Sequence, residues 1–243
     1  MLFSESRAER FELCTWLSDP LFAAWLVEHL QPYGHSICEV GAGTGNMAGR
    51  LVHVFAPVFM VEPSPTMSRR MAAKVADSQS PVTLLQAPAE AIPLEAKSVD
   101  IALSKSSFHH FANRNQGLSE MARIAKTVIA VAEVVSPDER CLDYARQLVI
   151  PKEPGRDVAT IFTEDSLCEL IRPFCSGHRV LHFDQYIDVG IWLDASELSI
   201  ERKQELYNLA ESQTGVVKEK MQIHVRAGRL VQLRRMALLM GLL

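Results

Sequence analysis

Three glycines alternate with other residues early in the chain, in the segment Glu39-Val40-Gly41-Ala42-Gly43-Thr44-Gly45. Glycine lets the backbone turn sharply and lets a ligand approach without meeting a Cβ atom. The dinucleotide fingerprint G-x-G-x-x-G would place its third glycine one residue later, so the spacing disfavours a nicotinamide dehydrogenase. The acidic Glu39 comes two residues before the first glycine. This pattern predicts a ligand-binding loop at the end of a strand.

A second acidic residue, Glu62, ends the next apolar run in Phe59-Met60-Val61-Glu62-Pro63-Ser64. A carboxylate at that position can accept hydrogen bonds from both hydroxyls of a ribose. Each charge-assisted bond of this kind contributes roughly 1.5–3 kcal/mol. The alternative is that Glu62 only caps the helix that follows. Because the glycines stand in the matching position, we favour the ribose role.

Alternating apolar and helical patterns supply the elements that position these residues. Short β-branched runs separated by helical segments predict βαβ units and a parallel sheet. Predicted strands cover residues 36–40, 58–61, 82–86, 99–104 and 128–135. Predicted helices cover residues 45–55, 65–76 and 116–126, with Ser64 as the cap of the second helix.

The flanking segments predict further elements but no second domain. We therefore treat residues 1–243 as one domain, with a helical cap (1–34), a cofactor-binding core (35–136) and a part that completes the sheet and forms a substrate lid (137–243). The predicted elements outside the core are helices at 17–30, 138–150, 163–174 and 199–212, a breaker-rich loop at 151–156, a strand at 180–189, and a hairpin of 221–225 with 230–240.

Over residues 35–135 the chain resembles the class I S-adenosylmethionine-dependent methyltransferases, whose first strand runs into E/D-x-G-x-G-x-G. The resemblance implies an α/β fold with a Rossmann-like, doubly wound, mostly parallel seven-stranded sheet and an antiparallel C-terminal hairpin. It also implies S-adenosylmethionine as cofactor. The cofactor-binding residues implied are Glu39, Gly41, Ala42, Gly43, Gly45, Glu62, Pro63, Ala89, Glu90 and Ser104, the last lining the pocket through its backbone.

The sequence departs from the family pattern at two points. An aspartate that commonly precedes the Ala-Glu pair of the third stretch is replaced by Pro88, which offers neither an acceptor side chain nor an N–H group. Adenine recognition must then rest on the backbone of Ala89, on Glu90 and on apolar contacts. The Pro-Gly-Gly usually found before the fifth strand is also missing, and the chain passes directly from Lys126 into Thr127.

Two adjacent histidines follow the fourth strand and resemble the H-H-F/M element of small-molecule methyltransferases. In that family one histidine is proposed as a general base, oriented by an acid at the end of strand five. Here the resemblance implies a base at His110, ahead of His109, with Glu133 as the orienting acid. The alternative is that one histidine caps the helix near Asn113 while the other packs against the adenosine.

Composition and charge narrow the range of possible functions. The formal net charge is −4, which disfavours a nucleic-acid partner because such affinity comes mostly from neutralised phosphates. No N-P-P-Y or D-P-P-Y tetrad follows the fourth strand. The basic cluster near the C-terminus is interpreted as a solvated strand edge rather than as a patch that binds nucleic acid. Its members are Arg226, Arg229, Arg234 and Arg235.

Cysteine and histidine spacing predicts neither disulfides nor a metal site. The five cysteines include no C-x-x-C pair, and no histidine or carboxylate cluster indicates a metal. A reducing cytoplasm is therefore the expected compartment. The first residues are charged too early for a signal peptide. The apolar tail at 236–243 is far shorter than the ~20 residues of a membrane helix, so no membrane partner is expected.

Together these observations predict a methyltransferase for a small-molecule acceptor, with an oxygen acceptor favoured. No motif identifies the acceptor. The alternatives are a nucleic-acid base methyltransferase and a non-catalytic binding subunit that keeps the fold.

Overall fold

The sheet has the predicted doubly wound order. The structure, a computed structural model, describes residues 5–12, 14–76, 81–152 and 161–243. Its strands are β1 (Ile37–Val40), β2 (Val58–Val61), β3 (Val82–Leu85), β4 (Val99–Lys105), β5 (Ala125–Ser136), β6 (Phe162–Thr163), β7 (Gly177–Asp188), β8 (His224–Arg226) and β9 (Arg229–Leu242). The main path runs β3-β2-β1-β4-β5-β9-β7. Strands β1 to β5 pair in parallel, and β9 is antiparallel to β5, β7 and β8.

Capping residues define where several helices begin. Ser64 Oγ accepts from Met67 N, and the Asn113 side chain accepts from Gln116 N. Thr163 forms a capping box with Ser166. The helices are α1 (Glu5–Glu12), α2 (Pro20–Leu30), α3 (Ala48–Leu51), α4 (Pro65–Val75), α5 (Arg114–Ile124), α6 (Glu139–Lys152), α7 (Glu164–Ile171), α8 (Val189–Asp194), α9 (Ile200–Glu211) and α10 (Gly215–Lys220).

Several predicted boundaries were wrong. The helix expected at 45–55 is reduced to the single turn of α3, because the chain is still turning through residues 41–47. The helix expected to reach 126 ends at Ile124, where β5 begins without a loop. In the loop expected at 151–156, the first two residues instead end α6. The remainder of that loop, 153–156, lies outside the described residues.

Apolar side chains cover both faces of the sheet. One layer includes Phe108, Leu118 and Phe162 on the side of α5 and α7, and the opposite layer includes Phe22 and Leu26 of α2. Burial on both faces explains why the parallel strands are nearly continuous apolar runs. In the part of the chain that the structure describes, no helix is both long and apolar enough to span a membrane.

The order of the strands fixes where a ligand can bind. Strand β1 lies between β2 and β4, so the chain reverses direction across the sheet at β1 and β4. In doubly wound sheets, ligands bind outside the carboxyl ends of the strands at such a switch point. Strands β1, β2, β4 and β5 bring Gly41, Glu62, Lys105 and Glu133 to this end.

Candidate active site

The glycine loop leaves β1 with its backbone in the left-handed region. Gly41 has φ +77°, and a Cβ atom there would lie 2.5 Å from Ser107 Oγ. Its N–H donates to Val61 O over 2.8 Å, which ties the loop to β2. Gly43 has φ +58°, but a Cβ atom there would meet no atom within 4 Å. The loop therefore needs Gly41 for packing and presents open space at Gly43.

That open space belongs to a cavity of about 280 Å³, which we call the loop cavity. Most of the predicted cofactor residues lie around it, from β1, β2 and the segment after β3. Those predicted residues are Glu39, Gly41, Ala42, Gly43, Glu62, Pro63, Ala89 and Glu90.

Glu62 bridges the loop and the next helix. Its Oε2 accepts from Gly43 N over 2.9 Å, and its Oε1 accepts from Ser64 N over 2.9 Å. Burial raises the pKa of Glu62, and the bonds from Ser64 and Gly43 oppose that rise. A carboxylate oxygen has further lone pairs, so each can still accept another hydrogen bond. The two roles considered for Glu62 are thus compatible in one geometry.

Glu39 and Lys105 are both buried beside the loop cavity and interact electrostatically. Among the described residues, Glu39 Oε2 has no hydrogen-bond partner although the atom is buried. Lys105 Nζ donates to Leu17 O over 3.0 Å. Burial raises the pKa of Glu39, and Lys105 opposes this; burial lowers the pKa of Lys105, and Glu39 opposes this in turn. A buried acceptor without a donor suits a cationic ligand group.

One wall of the loop cavity contains Pro88, the residue at which the sequence departs from the family pattern. Pro88 lines it together with Ala89, Glu90 and Phe111. Glu90 Oε1 accepts from Asn113 N over 2.9 Å, which links this wall to the start of α5. The wall is thus apolar, with one partly buried carboxylate.

Two predicted cofactor residues lie outside the cavity lining. A Cβ atom at Gly45 would lie 2.9 Å from Met71 Cγ, so this glycine serves the close approach of α4. Ser104 is fully buried, and its hydroxyl is 2.9 Å from Ser107 Oγ. Side chains alternate along a strand, so Lys105 rather than Ser104 lines the cavity.

A second cavity, of about 150 Å³, adjoins the first, and we call it the histidine cavity. Its lining includes His109, His110, Glu133 and Arg234, and its remaining walls are mostly apolar. Leu17, Ser106 and His110 line both cavities. The two cavities therefore adjoin where these three residues lie.

Glu133 contacts the ring of His109, whereas the sequence prediction put His110 ahead of His109 as the base. Its Oε1 and Oε2 lie 2.9 and 3.0 Å from His109 Nδ1, and both side chains are largely buried. The His110 ring lies beside that of His109, with 4.0 Å between centroids. The histidines belong to a short 3₁₀ turn after β4, Phe108–His110.

The basic cluster near the C-terminus does not share one environment. Arg235 bonds Asp184 at 2.8 and 2.7 Å, as expected for a solvated strand edge. Arg234 lines the histidine cavity instead, so its interpretation as part of that edge was wrong. Successive residues of β9 point to opposite faces, which separates the two arginines.

Sequence reasoning missed several lining residues. Three of them, Lys105, Ser106 and Ser107, stand next to the histidines at the end of β4 and line the loop cavity. Trp16 and Arg234 come from opposite ends of the chain, and only the fold brings both to the wall of the histidine cavity. A signal for Lys105 was available, since a lysine inside an apolar strand is unusual.

Comparison with known proteins agrees with the fold. Residues 38–128 match the family model described as a methyltransferase domain. The curated relatives include the uncharacterized methyltransferase YodH of Bacillus subtilis, 30% identical over 37% of this chain and 38% of its own length. Another is the ubiquinone/menaquinone biosynthesis C-methyltransferase UbiE of Syntrophotalea carbinolica, 30% identical over 37% of this chain and 39% of its own length. The alignments thus span well under half of these relatives.

Solved structures share the fold over most of the chain. The YcgJ protein of Bacillus subtilis superposes with a TM-score of 0.75 at 15% identity, covering 86% of this chain and 92% of that one. A SAM-dependent methyltransferase of Aquifex aeolicus gives a TM-score of 0.54 at 18% identity, covering 76% and 93%. The [4+2]-cyclase SpnF gives 0.53 at 16% identity, covering 89% and 80%. Residues 38–128 are thus similar to a methyltransferase domain, and the chain shares its fold with these structures, one of which is a [4+2]-cyclase.

Proposed function

We propose that this chain is an S-adenosylmethionine-dependent methyltransferase that methylates a hydroxyl oxygen of a small molecule. The observation that carries the proposal is the junction of the two cavities. The loop cavity has the glycine loop and Glu62, and the histidine cavity has a histidine held by a buried carboxylate. Holding two reactants in alignment can lower a barrier by about 7–11 kcal/mol.

The residues of the loop cavity fit the cofactor at four points. Gly43 leaves space that a side chain would fill. The Glu62 oxygens can accept from ribose hydroxyls, and the unpartnered Glu39 Oε2 can accept from a methionyl ammonium. Lys105 provides a cation for the methionyl carboxylate. When bound, S-adenosylmethionine supplies an electrophilic methyl group on a sulfonium.

The histidine cavity supports the choice of an oxygen acceptor. A hydroxyl must lose its proton as it is methylated, so a general base contributes about 10²–10⁴-fold. Glu133 fixes His109 by accepting from Nδ1–H, which leaves Nε2 to accept the proton of the acceptor. The buried carboxylate then stabilises the imidazolium that forms.

The proposed cofactor gives the first test. We expect S-adenosylhomocysteine to stabilise the folded protein, by about 2.7 kcal/mol at 100 times its dissociation constant. NAD and NADP should leave the free energy of unfolding unchanged, because the third glycine is misplaced for a pyrophosphate. Thermal unfolding with each ligand measures this. Transfer of labelled methyl to a panel of hydroxyl metabolites then tests the reaction, and stabilisation by NAD alone, or methylation of nucleic acid only, would contradict the proposal.

Proton release on binding tests the role of Glu39. Because burial raises its pKa, part of the Glu39 population carries a proton in the free protein slightly below neutral pH. A bound ammonium favours the carboxylate and lowers that pKa, so binding should release a proton. Titration calorimetry at about pH 6.5, in two buffers of different ionisation enthalpy, measures this release. Glu39→Gln should bind S-adenosylhomocysteine without it; equal release from the variant would place the cofactor ammonium elsewhere.

A further inference from the structure

Arg234 differs from its neighbours in the histidine cavity. The other walls are chiefly apolar and include Trp16, Leu148, Trp192 and Leu233. An apolar cavity of about 150 Å³ holds a ligand about the size of a benzene ring. A guanidinium among such walls is a charge in surroundings that solvate it poorly.

The partners of Arg234 within the protein are neutral. Its Nη1 donates to Gln185 Oε1 over 2.8 Å, and its Nη2 is 3.3 Å from Ser106 Oγ. Among the side chains that the structure describes, no ion pair joins Arg234 to a carboxylate within 4.0 Å. Adjacent Arg235 has such a pair with Asp184. The guanidinium also keeps N–H donors that these two bonds do not use.

Nearby charges leave Arg234 without a direct counter-ion. Glu133 attracts it electrostatically, but no ion pair within 4.0 Å joins these two side chains, and Glu133 contacts His109 instead. The buried Lys105 also repels it. Burial lowers the pKa of Arg234 to about 10, so the side chain remains cationic at neutral pH. A half-buried cation of this kind is best stabilised by an anion that approaches within hydrogen-bond distance.

We infer that the methyl acceptor is a single-ring-sized apolar acid, whose carboxylate binds Arg234 while its hydroxyl faces His109. The inference rests on the proposed function for the position of the reacting hydroxyl. The planar fork of arginine matches a carboxylate in a bidentate arrangement, which fixes orientation as well as affinity. Arg234 would thereby select acids over neutral analogues and aim the opposite end of the molecule at the base.

Paired probes test this selection without knowledge of the natural acceptor. We would measure binding of 3-phenylpropanoate and 3-phenylpropanamide to the protein saturated with S-adenosylhomocysteine. The carboxylate is expected to bind at least roughly tenfold more tightly than the amide, as befits charge-assisted bonds. Arg234→Gln should remove this preference, and Arg234→Lys should keep part of it. The matched control is Arg235→Gln, which changes the adjacent arginine on the outer face and should keep the preference in full.

The outcomes separate this inference from the proposed function. Binding of S-adenosylhomocysteine to each variant shows that the fold and the loop cavity are intact. If wild type binds S-adenosylhomocysteine but takes the acid and the amide equally, or takes neither, the inference is overturned and the proposed function stands. If Arg235→Gln loses the preference as fully as Arg234→Gln, general surface charge explains it, and the inference is again overturned. Failure to bind S-adenosylhomocysteine at all contradicts the proposed function itself.

Discussion

Gly43→Val is expected to abolish binding of S-adenosylhomocysteine while the protein stays folded. A Cβ atom at Gly43 meets no protein atom within 4 Å, so the new side chain would not displace the core. It would extend into the loop cavity, which Gly43 lines, and would fill space that we assign to the methionyl group. Titration calorimetry should detect no binding at ligand concentrations that saturate wild type.

Backbone strain must be separated from this filling of the cavity. Gly43 has φ +58°, and a non-glycine residue in that region costs roughly 1–2 kcal/mol. Gly215 provides the matched control, since it has φ +56° and also meets nothing within 4 Å. Gly215→Val should destabilise the fold to a similar degree yet bind the ligand normally. Unchanged affinity in Gly43→Val would mean that the ligand lies elsewhere.

Gly41, the neighbouring glycine, would be a less informative position for the test substitution. A Cβ atom at Gly41 would lie 2.5 Å from Ser107 Oγ, and Ser107 in turn donates to Val40 O over 2.9 Å. A substitution there would disturb the packing between the loop and the turn after β4. Loss of binding in such a variant would report on folding of the loop as much as on ligand space.

Much of the fold could be predicted because its signals are local. The runs that became β2 and β3 are apolar and bounded by turn residues, and the glycines mark the end of β1. The hairpin of β8 and β9 was predicted from Ala227-Gly228, both of which adopt positive φ. The doubly wound, mostly parallel type of sheet followed from the resemblance, and the structure has it. The helix after the glycine loop is shorter than predicted, because the residues up to position 47 complete the turn instead of beginning the helix.

The candidate site was predictable only in part, since the directions of several of its side chains depend on tertiary structure. The sequence indicated that two histidines follow β4, but which one faces Glu133 depends on a 3₁₀ turn whose phase no local pattern fixes. Arg234 and Arg235 look alike in the sequence. Their different surroundings arise because β9 inserts between β5 and β7, which places one face of its end against the cavity.

His109→Ala is expected to lower turnover by roughly 10²–10⁴-fold, with the acceptor that the methylation panel identifies. Affinity for S-adenosylhomocysteine should stay within about threefold of wild type, because His109 lines the histidine cavity and not the loop cavity. Single-turnover kinetics and calorimetry together measure both quantities. The loss should appear in the chemical step rather than in KM.

Variants of His110 and Glu133 test whether the predicted loss is specific to His109. His110→Ala changes a side chain that lines both cavities, so it should alter affinity for both ligands and reduce turnover less. Glu133→Gln should reduce turnover because the amide no longer stabilises an imidazolium at His109. The double variant His109→Ala/Glu133→Gln should be little slower than His109→Ala, since residues that act as one unit are not additive. Near-normal turnover in His109→Ala would instead show that alignment of the two ligands is sufficient for catalysis. Additive losses in the double variant would show that Glu133 acts on the acceptor independently of His109.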